Sequence, residues 1–556
     1  MSRGPWRTSG PRGQELETAL RGRRWPFAPA SVGASNTEER PRRAPRGVGL
    51  LIALAFLFFY GLTSAGETTS LDGGVIMDTT RALVDGGTLA LPLHHHGVPN
   101  NVAHPTAYYS KYGIALSLAE MPLYVAGERV APHLSPALAH VTATAFASLT
   151  NVVVTALALW LFFLLAFEIG AGLRGAVVAT IIVGVASPFW PYAKSDFTEP
   201  LAALGLLGAA LFLVRARSRP APLNFALSGL FFSLALLAKV TALLALPAFA
   251  AYALFVALDA SPRGDPRRFT YAVVRLVQWA VGVGFGVVLT LDYNLVRFGS
   301  LTDTGYRNLD DKPFHAPLLD GLTGLLVSPG KGVLWYCPLL LLTIPLWRSF
   351  ARRRPTETLL VVGITLPTLL VYATYPVWWG GYCWGPRYLV PVLPFVLLPL
   401  VSVGRLWLRR GWRRGLMVVL TTVAIVVQVL GVAVQPARYL VTGVSDAQYL
   451  RTASDSPLLA HAWFFFHDLV SAAPGSAVSA LNEAYPWRTL VPAGTVSHDR
   501  LDGATYWWWA FLRQYGLTRS GQAAIILGLL GALAVVVVIL RRRSRSWAND
   551  DVAAML

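Results

Sequence analysis

The 556-residue chain has few charged residues for its length. Asp, Glu, Lys and Arg together make up 14% of it, whereas 54% is hydrophobic. Soluble proteins carry about 25% charged residues, because charge is needed to cover their surface. The composition therefore excludes an ordinary soluble enzyme. Long apolar runs recur between residues 48 and 540 and predict a protein that crosses the membrane many times.

Cysteine and acidic residues are also scarce. The two cysteines, Cys337 and Cys383, lie in or beside apolar segments, so the sequence predicts neither a disulfide framework nor a cysteine metal site. Acidic residues number 29 against 47 basic ones, a net charge of +18. The basic excess lies in short segments between apolar runs, which is typical of membrane topology and does not indicate a nucleic-acid partner. No internal repeat is evident, which counts against an inverted-repeat transporter.

The apolar runs predict about twelve transmembrane helices. We place these spans near residues 48–64, 138–167, 175–190, 199–214, 223–238, 240–258, 271–296, 333–347, 358–375, 388–404, 416–434 and 522–540. Residues 1–47 are rich in Arg, Pro, Gly and Ser and are predicted to be a disordered cytoplasmic tail. With the N-terminus inside, every strongly basic link falls on the cytoplasmic side, as does the tail 541–556.

The opposite links carry acids, aromatics and histidines, so any chemistry is expected at the outer face. Two of them are long: the first outer loop, 65–137, and a segment at 435–521 that we predict to be a small extracytoplasmic module. Apolar residues recur at helical spacing in 79–84 and 112–125, which predicts interfacial helices in the first loop. Its three consecutive histidines, 94–96, are predicted to lie in a solvated loop, because adjacent imidazoles point in different directions.

Four acids are candidates for catalysis. Asp72 leads as general base, because it follows the first span at the outer surface; the alternative is that it caps the next helix. Asp78 is a weaker candidate that could equally be a solvated acid on a helix face. Asp196 and Glu199 are three residues apart and share a face if helical, although acids at a helix N-terminus are also favoured without any function.

Three cations are candidates for binding a phosphate leaving group: Lys111, Lys331 and Arg387. The alternative for the two lysines is that they anchor span ends at the interface. Residues 375–388 embed Gly-Gly and Gly-Pro-Arg among aromatics, which an aromatic belt does not explain. Four aromatic residues of this run are predicted to line a substrate site: Trp379, Tyr382, Trp384 and Tyr388.

These motifs together resemble the GT-C superfamily of membrane glycosyltransferases. The resemblance lies in Asp72, in the Asp196/Glu199 pair after the third span, and in Trp384-Gly385-Pro386-Arg387-Tyr388 near Ser328-Pro329-Gly330-Lys331-Gly332. It covers roughly residues 48–405 and is similar to the bacterial protein-mannosyltransferase and lipid A aminoarabinose transferase branch.

The resemblance implies a fold, a reaction and partners. The fold is an all-α, GT-C-like transmembrane catalytic domain over 48–434. The reaction moves a hexose or pentose from a polyprenyl-phosphate donor to a hydroxyl of a glycan, lipid or protein, at the outer face of a bacterial plasma membrane. Lys111 takes the role of the first-loop lysine that contacts the donor phosphate.

One departure from the superfamily pattern is that Gly73 follows Asp72 where an adjacent acidic pair is common. The choice of base between Asp72 and Asp78 therefore stays open, as does dependence on a divalent metal; no cofactor is certain. A transporter or flippase of lipid-linked sugars is the alternative function. It predicts paired ionisable residues near the middle of the spans, whereas the acids concentrate in outer loops, which favours a surface enzyme.

Overall fold

The computed structural model describes residues 46–91, 98–99, 107–261, 264–306, 314–402, 411–436, 444–471 and 506–553. The histidines 94–96, nearly all of the N-terminal tail and the middle of the 435–521 segment lie outside these ranges. Within them the chain is helical, apart from loops and one short antiparallel pair in which β1 (Val98–Pro99) lies beside β2 (Tyr108–Tyr109).

The helices of the first half begin in the first predicted span and continue to residue 298. They are α1 (Arg46–Leu62), α2 (Leu71–Gly86), α3 (Ile114–Val130), α4 (Pro136–Ala147), α5 (Thr150–Glu168), α6 (Leu173–Ala186), α7 (Phe189–Lys194), α8 (Glu199–Ser218), α9 (Pro222–Ala238), α10 (Leu246–Asp259) and α11 (Arg268–Phe298). Two 3₁₀ turns, Ala131–His133 and Val240–Ala245, connect them.

The second half contains shorter and more interrupted helices. They are α12 (Leu318–Val327), α13 (Val333–Tyr336), α14 (Leu339–Arg353), α15 (Pro355–Ala373), α16 (Leu393–Val396), α17 (Gly411–Ala433), α18 (Asp446–Arg451), α19 (Pro457–Ser471), α20 (Trp508–Gln514) and α21 (Arg519–Ala553), with 3₁₀ turns at Arg387–Leu389 and Leu398–Ser402.

The all-α polytopic membrane fold is confirmed. Seven helical stretches of the described residues are long and apolar enough to cross a membrane, and six shorter apolar helices accompany them. The long stretches are Pro136–Glu168, Glu199–Ser218, Val240–Asp259, Arg268–Phe298, Pro355–Ala373, Gly411–Ala433 and Arg519–Arg543. Residues 65–137, the predicted first outer loop, contain α2 and α3, where helical spacing predicted helices.

The predicted span at 388–404 is the one with the least regular helix. At 388–404 the structure has only short helical turns, at Arg387–Leu389, Leu393–Val396 and Leu398–Ser402. Three prolines interrupt this apolar run, and each removes a backbone donor and clashes with the preceding turn. They are Pro391, Pro394 and Pro399. The predicted last span is correct in position, but its helix α21 continues past residue 540 to Ala553.

Helix α9 packs closely against both α8 and α11. Glycine permits this approach: a Cβ atom added at Gly229 of α9 would lie 2.3 Å from the carbonyl oxygen of Trp279 on α11. Small residues at such crossings let helix backbones come together where no hydrophobic effect drives association. Helix α9 therefore lies in close contact with α11, and it also packs against α8, the helix that begins at Glu199.

Candidate functional site

Arg387 joins two of the candidate acids. Its Nη1 lies 2.5 Å from Oδ2 of Asp72, and its Nε donates to Oε1 of Glu199 at 2.7 Å. Glu199 is fully buried and Arg387 is 7% exposed. One guanidinium thus bridges the first outer loop and the start of α8, and it offers each carboxylate a different nitrogen. Such buried charges persist only because each is paired.

Asp72 lies in the first turn of α2, but it does not cap the helix. The cap is Ser70, whose Oγ accepts a 2.9 Å hydrogen bond from the backbone N–H of Gly73. The Tyr112 hydroxyl donates to Oδ1 of Asp72 at 2.5 Å. Burial raises the pKa of Asp72, yet Arg387, Tyr112 and Lys111 outweigh it and hold the pKa below its usual value. Asp72 is therefore an ionised carboxylate at neutral pH.

Asp196 has a different environment. The backbone N–H of Thr69 lies 3.1 and 3.0 Å from its Oδ1 and Oδ2, and the Thr69 hydroxyl also donates to it. These hydrogen bonds lower the pKa of Asp196, but burial outweighs them and raises it to about 6. A Cβ atom added at Gly73 would lie 1.5 Å from Oδ2 of Asp196. The glycine that replaces a second acid after Asp72 therefore makes room for an acid from a distant segment.

Glu199 accepts two cations on a single oxygen. Lys239 Nζ and Arg387 Nε both donate to Oε1, whereas Oε2 has no hydrogen-bond partner in the described part of the chain. The Lys239 ammonium also lies 4.8 Å from the ring centre of Tyr388. Because its net surroundings are cationic, Glu199 fixes the position of Arg387 and is poorly suited to accept a proton.

Lys111 is the cation of the site that remains available. Its ammonium lies 5.4 Å from the ring centre of Tyr112 and 5.5 Å from that of Tyr306. Across the described ranges it forms no hydrogen bond or ion pair. Burial lowers its pKa, which the charge of Asp72 partly offsets. A cation held over aromatic faces beside an acid can bind an incoming anion.

Lys331 is fully buried, and its three N–H donors are used within the protein. Nζ donates to the carbonyl oxygens of Gly381 and Cys383 at 2.8 and 2.6 Å, and lies 3.3 Å from Sγ of Cys383. The loop it binds contains three left-handed glycines and no regular backbone ladder. This geometry favours an anchor for the 380–385 loop over a phosphate ligand.

The four aromatic candidates have different surroundings. Trp379 and Tyr382 both pack around Tyr449, with ring centres 6.1 and 5.2 Å away. Trp384 is buried, edge-on to the Tyr336 ring. The Tyr388 ring stacks parallel to another tyrosine ring, that of residue 372, at 4.0 Å.

Asp78 stands apart from the cluster around Arg387. It is 9% exposed, and its Oδ1 pairs with Nη1 of Arg81 at 3.2 Å one turn along α2. Arg81 Nε in turn donates to the Tyr124 hydroxyl at 3.4 Å. Asp78 is thus a paired, largely buried acid and not the solvated helix-face residue that its spacing also suggested.

A metal ion would need several free donors close together. Within the described ranges, no group of three His, Cys, Asp or Glu side chains is placed to hold one. The candidate acids Asp72, Asp196 and Glu199 are already engaged by Arg387, Thr69 and Lys239. These residues do not fit a metal centre.

Two clefts lie on either side of the acid cluster in the described part of the chain. The outer cleft is lined by Thr69, Phe197, Trp384 and neighbours. The inner cleft is lined by Lys239, Tyr388 and mainly apolar residues. A chain of contacts runs from one to the other: Lys239 to Glu199, Glu199 to Arg387, and Arg387 to the Phe197 ring at 4.0 Å.

Sequence reasoning missed several residues that build this cluster. Tyr112 and Thr69 are polar residues of a long outer loop and gave no distinguishing signal. Lys239 was noted only as a charge near a span end, although a lysine bounded by two apolar segments is itself a signal for a buried ion pair. The arginine at position 297, near the end of α11, was missed in the same way.

Arg297 holds the loop that carries Lys111 and Tyr112. Its Nη1 donates to the carbonyl oxygens of Ser110 and Tyr112, the latter at 3.5 Å, and its Nη2 donates to Oδ1 of Asn294 at 2.8 Å. It is 3% exposed and lies over the Tyr293 ring at 3.6 Å. One buried guanidinium therefore fixes the backbone on both sides of Lys111.

Replacing Arg297 by glutamine is expected to loosen this loop. Hydrogen bonds to a charged group contribute about 1.5–3 kcal/mol, so amide exchange in peptides covering 108–113 should become roughly 10- to 100-fold faster. Hydrogen–deuterium exchange with mass spectrometry measures this directly. Arg451→Gln, which breaks an exposed ion pair with Asp320, is the control. Equal exchange rates in wild type and Arg297→Gln would show that the loop is held by other contacts.

No family model matches the sequence, and no curated protein matches it. Three solved structures are similar in fold. ArnT from Cupriavidus metallidurans bound to undecaprenyl phosphate is 14% identical with a TM-score of 0.48, and the match covers 88% of this chain and 78% of ArnT. The oligosaccharyltransferase AglB from Archaeoglobus fulgidus, in complex with an inhibitory peptide and a dolichol phosphate, is 11% identical with a TM-score of 0.40, covering 80% and 60%.

The third is the arabinosyltransferase EmbB from Mycobacterium smegmatis, 14% identical with a TM-score of 0.41, covering 92% of this chain and 43% of EmbB. All three neighbours are membrane glycosyltransferases of the GT-C superfamily, the one that the sequence motifs resemble.

Proposed function

We propose that this protein transfers a sugar from a polyprenyl-phosphate donor to a hydroxyl acceptor at the outer face of the membrane. One observation carries the proposal: the ionised carboxylate of Asp72 is held by Arg387, whose guanidinium contacts a residue of each cleft, Phe197 and Tyr388, and it is accompanied by the available ammonium of Lys111. A carboxylate suits the removal of a hydroxyl proton, and a nearby cation suits a phosphate leaving group.

The reaction follows from these positions. The acceptor hydroxyl gives its proton to Asp72 while its oxygen forms a bond to the anomeric carbon of the donor sugar. The bond from that carbon to the phosphate oxygen breaks, and polyprenyl phosphate leaves with the electron pair. Lys111 offsets the charge that develops on the phosphate. Arg387 and Tyr112 hold the carboxylate in place, so that it need not reorganise during the reaction.

The inner cleft suits the lipid part of such a donor. Ala202 and Leu206 of α8 and Ala242 and Ala245 of the following 3₁₀ turn form an apolar wall inside the membrane-spanning region. Lys239 lies at the end of the cleft nearest Glu199. An apolar wall beside a charged cluster suits a molecule with an isoprenoid tail and a phosphate head.

Incubating the purified protein with a panel of polyprenyl-phosphate sugars tests the proposal. Release of polyprenyl phosphate with at least one donor is the expected result. A transporter or flippase would instead move the intact lipid-linked sugar across a vesicle membrane and leave the sugar–phosphate bond unbroken. No release with any donor of the panel, or movement without cleavage, would rule out the transferase.

Lys111 and Lys331 are expected to differ when each is replaced by methionine. Lys111→Met should raise the KM for the donor by roughly 10- to 100-fold, because a hydrogen bond to a charged group contributes about 1.5–3 kcal/mol. Lys331→Met should instead lower the Tm, since it removes three buried hydrogen bonds. Steady-state kinetics and thermal unfolding in detergent measure both. A donor-specific defect in Lys331→Met without loss of stability would return it to the phosphate site.

The proposal requires a protein of the bacterial plasma membrane whose acid cluster faces outward and whose two termini lie in the cytoplasm. The native cysteines are buried, so introduced cysteines report alone. Asp85→Cys on α2 and Ser445→Cys before α18 are expected to react with an impermeant maleimide on intact cells, and Gly264→Cys only after lysis. The strongly basic links between spans, which all fall on the predicted cytoplasmic side, support this orientation. The reverse labelling pattern would place the site inside.

A further inference from the structure

The outer cleft is built differently from the inner one. Tyr192 of α7, Phe197, Tyr382 and Trp384 give it aromatic walls, and Lys194 and other polar residues lie between them. It is directly beside the acids, because Phe197 contacts Arg387 and Thr69 binds Asp196. An aromatic surface combined with a few hydrogen-bonding groups is the composition of a pocket for a specific small polar ligand.

Several polar atoms of this cleft lack partners among the described residues. The indole N–H of Trp384 is buried and finds no acceptor among the described residues; it lies against Gly431, another residue of the cleft. The buried ammonium of Lys194 donates to the carbonyl oxygen of Val432 at 2.6 Å and lies 4.8 Å from the Tyr506 ring, so that within the described ranges two of its N–H groups have no acceptor. Buried donors of this kind usually have a partner.

The amide of Gln435 adds an acceptor to these donors. Its Nε2 donates to the carbonyl oxygen of Thr69 at 2.7 Å, and its Oε1 accepts no hydrogen bond from the described residues. Burial lowers the pKa of Lys194 well below its ordinary value, which the charge of Glu67 opposes. The cleft therefore offers hydrogen bonds in both directions without a strong preference for an anion, which suits neutral hydroxyl groups.

We infer that the outer cleft binds the acceptor as a sugar ring, so that the acceptor of this enzyme is a glycan. The inference rests on the proposed function and narrows it, since the fold alone leaves glycan, lipid and protein acceptors equal. A sugar ring presents an apolar face to an aromatic wall and a rim of hydroxyls to Trp384, Lys194 and Gln435.

The position of the cleft separates the acceptor from the donor. In a displacement at the anomeric carbon, the incoming oxygen and the leaving phosphate lie on opposite sides of that carbon. The inner cleft suits the isoprenoid tail of the donor. The contacts from Lys239 through Glu199 and Arg387 to Phe197 put the outer cleft on the other side of the acid cluster from the inner cleft. The outer cleft is therefore assigned to the sugar that is modified, not to the sugar that is transferred.

The first test is binding without any donor. Methyl glycosides of glucose, mannose, galactose and arabinose are titrated into the full-length protein in nanodiscs, and saturation-transfer NMR gives Kd values. At least one glycoside is expected to bind in the millimolar range, and Trp384→Phe and Lys194→Met are each expected to raise that Kd at least tenfold. Trp279→Phe is the matched control, because its buried indole N–H also lacks a partner in the described residues but lies on α11, away from the cleft.

The second test is kinetic and uses the same variants with the donor and the best methyl glycoside. The acceptor KM is expected to rise at least tenfold, with a donor KM that changes less than twofold. A larger effect on the donor KM would assign the cleft to the transferred sugar and overturn the inference. Absence of saturable glycoside binding, or equal weakening by Trp279→Phe, would also overturn it. Glycoside binding without polyprenyl phosphate release in wild type would instead contradict the proposed transferase.

Discussion

Replacing Asp72 by asparagine is expected to lower kcat by about 10²- to 10⁴-fold, the usual contribution of a positioned general base. Asparagine keeps the size of the side chain and can still accept the hydrogen bond from Tyr112, but it cannot take the acceptor proton. Because Ser70 caps α2, the helix should stay intact; the Tm should still fall, but less than in Arg387→Gln, since the neutral amide weakens the ion pair with Arg387 while Glu199 keeps its own. Release of polyprenyl phosphate under saturating donor, together with thermal unfolding, measures both effects.

Asp78→Asn is the matched control for this prediction. Asp78 is an acid of the same helix, but it pairs with Arg81 and not with Arg387, so its replacement should change kcat by less than about twofold. If the Asp72→Asn variant keeps a near-normal kcat while the Asp78→Asn variant does not, the general base is Asp78, further along α2. If both are near normal, the base is Asp196 or Glu199, or the reaction is not the proposed one.

Arg387→Gln is expected to have the largest combined effect on stability and turnover. The guanidinium is the partner of a fully buried carboxylate, and removing one member of a buried ion pair costs about 3–5 kcal/mol. Glu199 would keep only Lys239, and Asp72 would lose the contact that positions it. We therefore expect a clear fall in Tm and a fall in kcat/KM of at least about 100-fold.

Arg387→Lys tests whether the positive charge at this position is sufficient or whether the geometry of the guanidinium is also needed. A single ammonium cannot reach Asp72 and Glu199 through two differently directed nitrogens, so lysine should restore part of the stability and little of the turnover. Arg451→Gln, at an exposed ion pair, is the control for loss of an arginine. Full activity in Arg387→Lys would mean that charge alone suffices, and unchanged stability in Arg387→Gln would mean that the two acids do not depend on this residue.

The sequence predicted the fold because membrane helices are specified locally. A run of apolar residues long enough to cross the bilayer is sufficient evidence for a helix, since unpaired backbone groups are too costly in lipid. The failure at 388–404 has an equally local cause. Hydropathy alone favours a span there, but Pro391, Pro394 and Pro399 prevent a continuous helix, and the surrounding helices of the protein cover this irregular stretch.

The candidate site was less predictable because its contacts are not local. Hydrogen bonds and ion pairs there join residues far apart in the chain, such as Asp72 with Arg387 and Thr69 with Asp196. Residue type and placement at the outer face selected the acids, and Arg387 was selected from its Gly-Pro-Arg setting. Their pairing could not be inferred: sequence reasoning assigned Lys331 to phosphate, whereas the folded chain uses its three donors on the 380–385 loop.

The contact between Gly73 and Asp196 restricts how related chains can diverge. Any side chain at 73 would overlap the carboxylate of residue 196, so the two positions share one fixed volume. A relative that acquires an acid at 73 must accept a smaller residue at 196, and one that keeps Asp at 196 must keep glycine at 73. We expect the two positions to covary across an alignment, and a chain with an adjacent acidic pair in the first loop to have Gly or Ala at the position of Asp196.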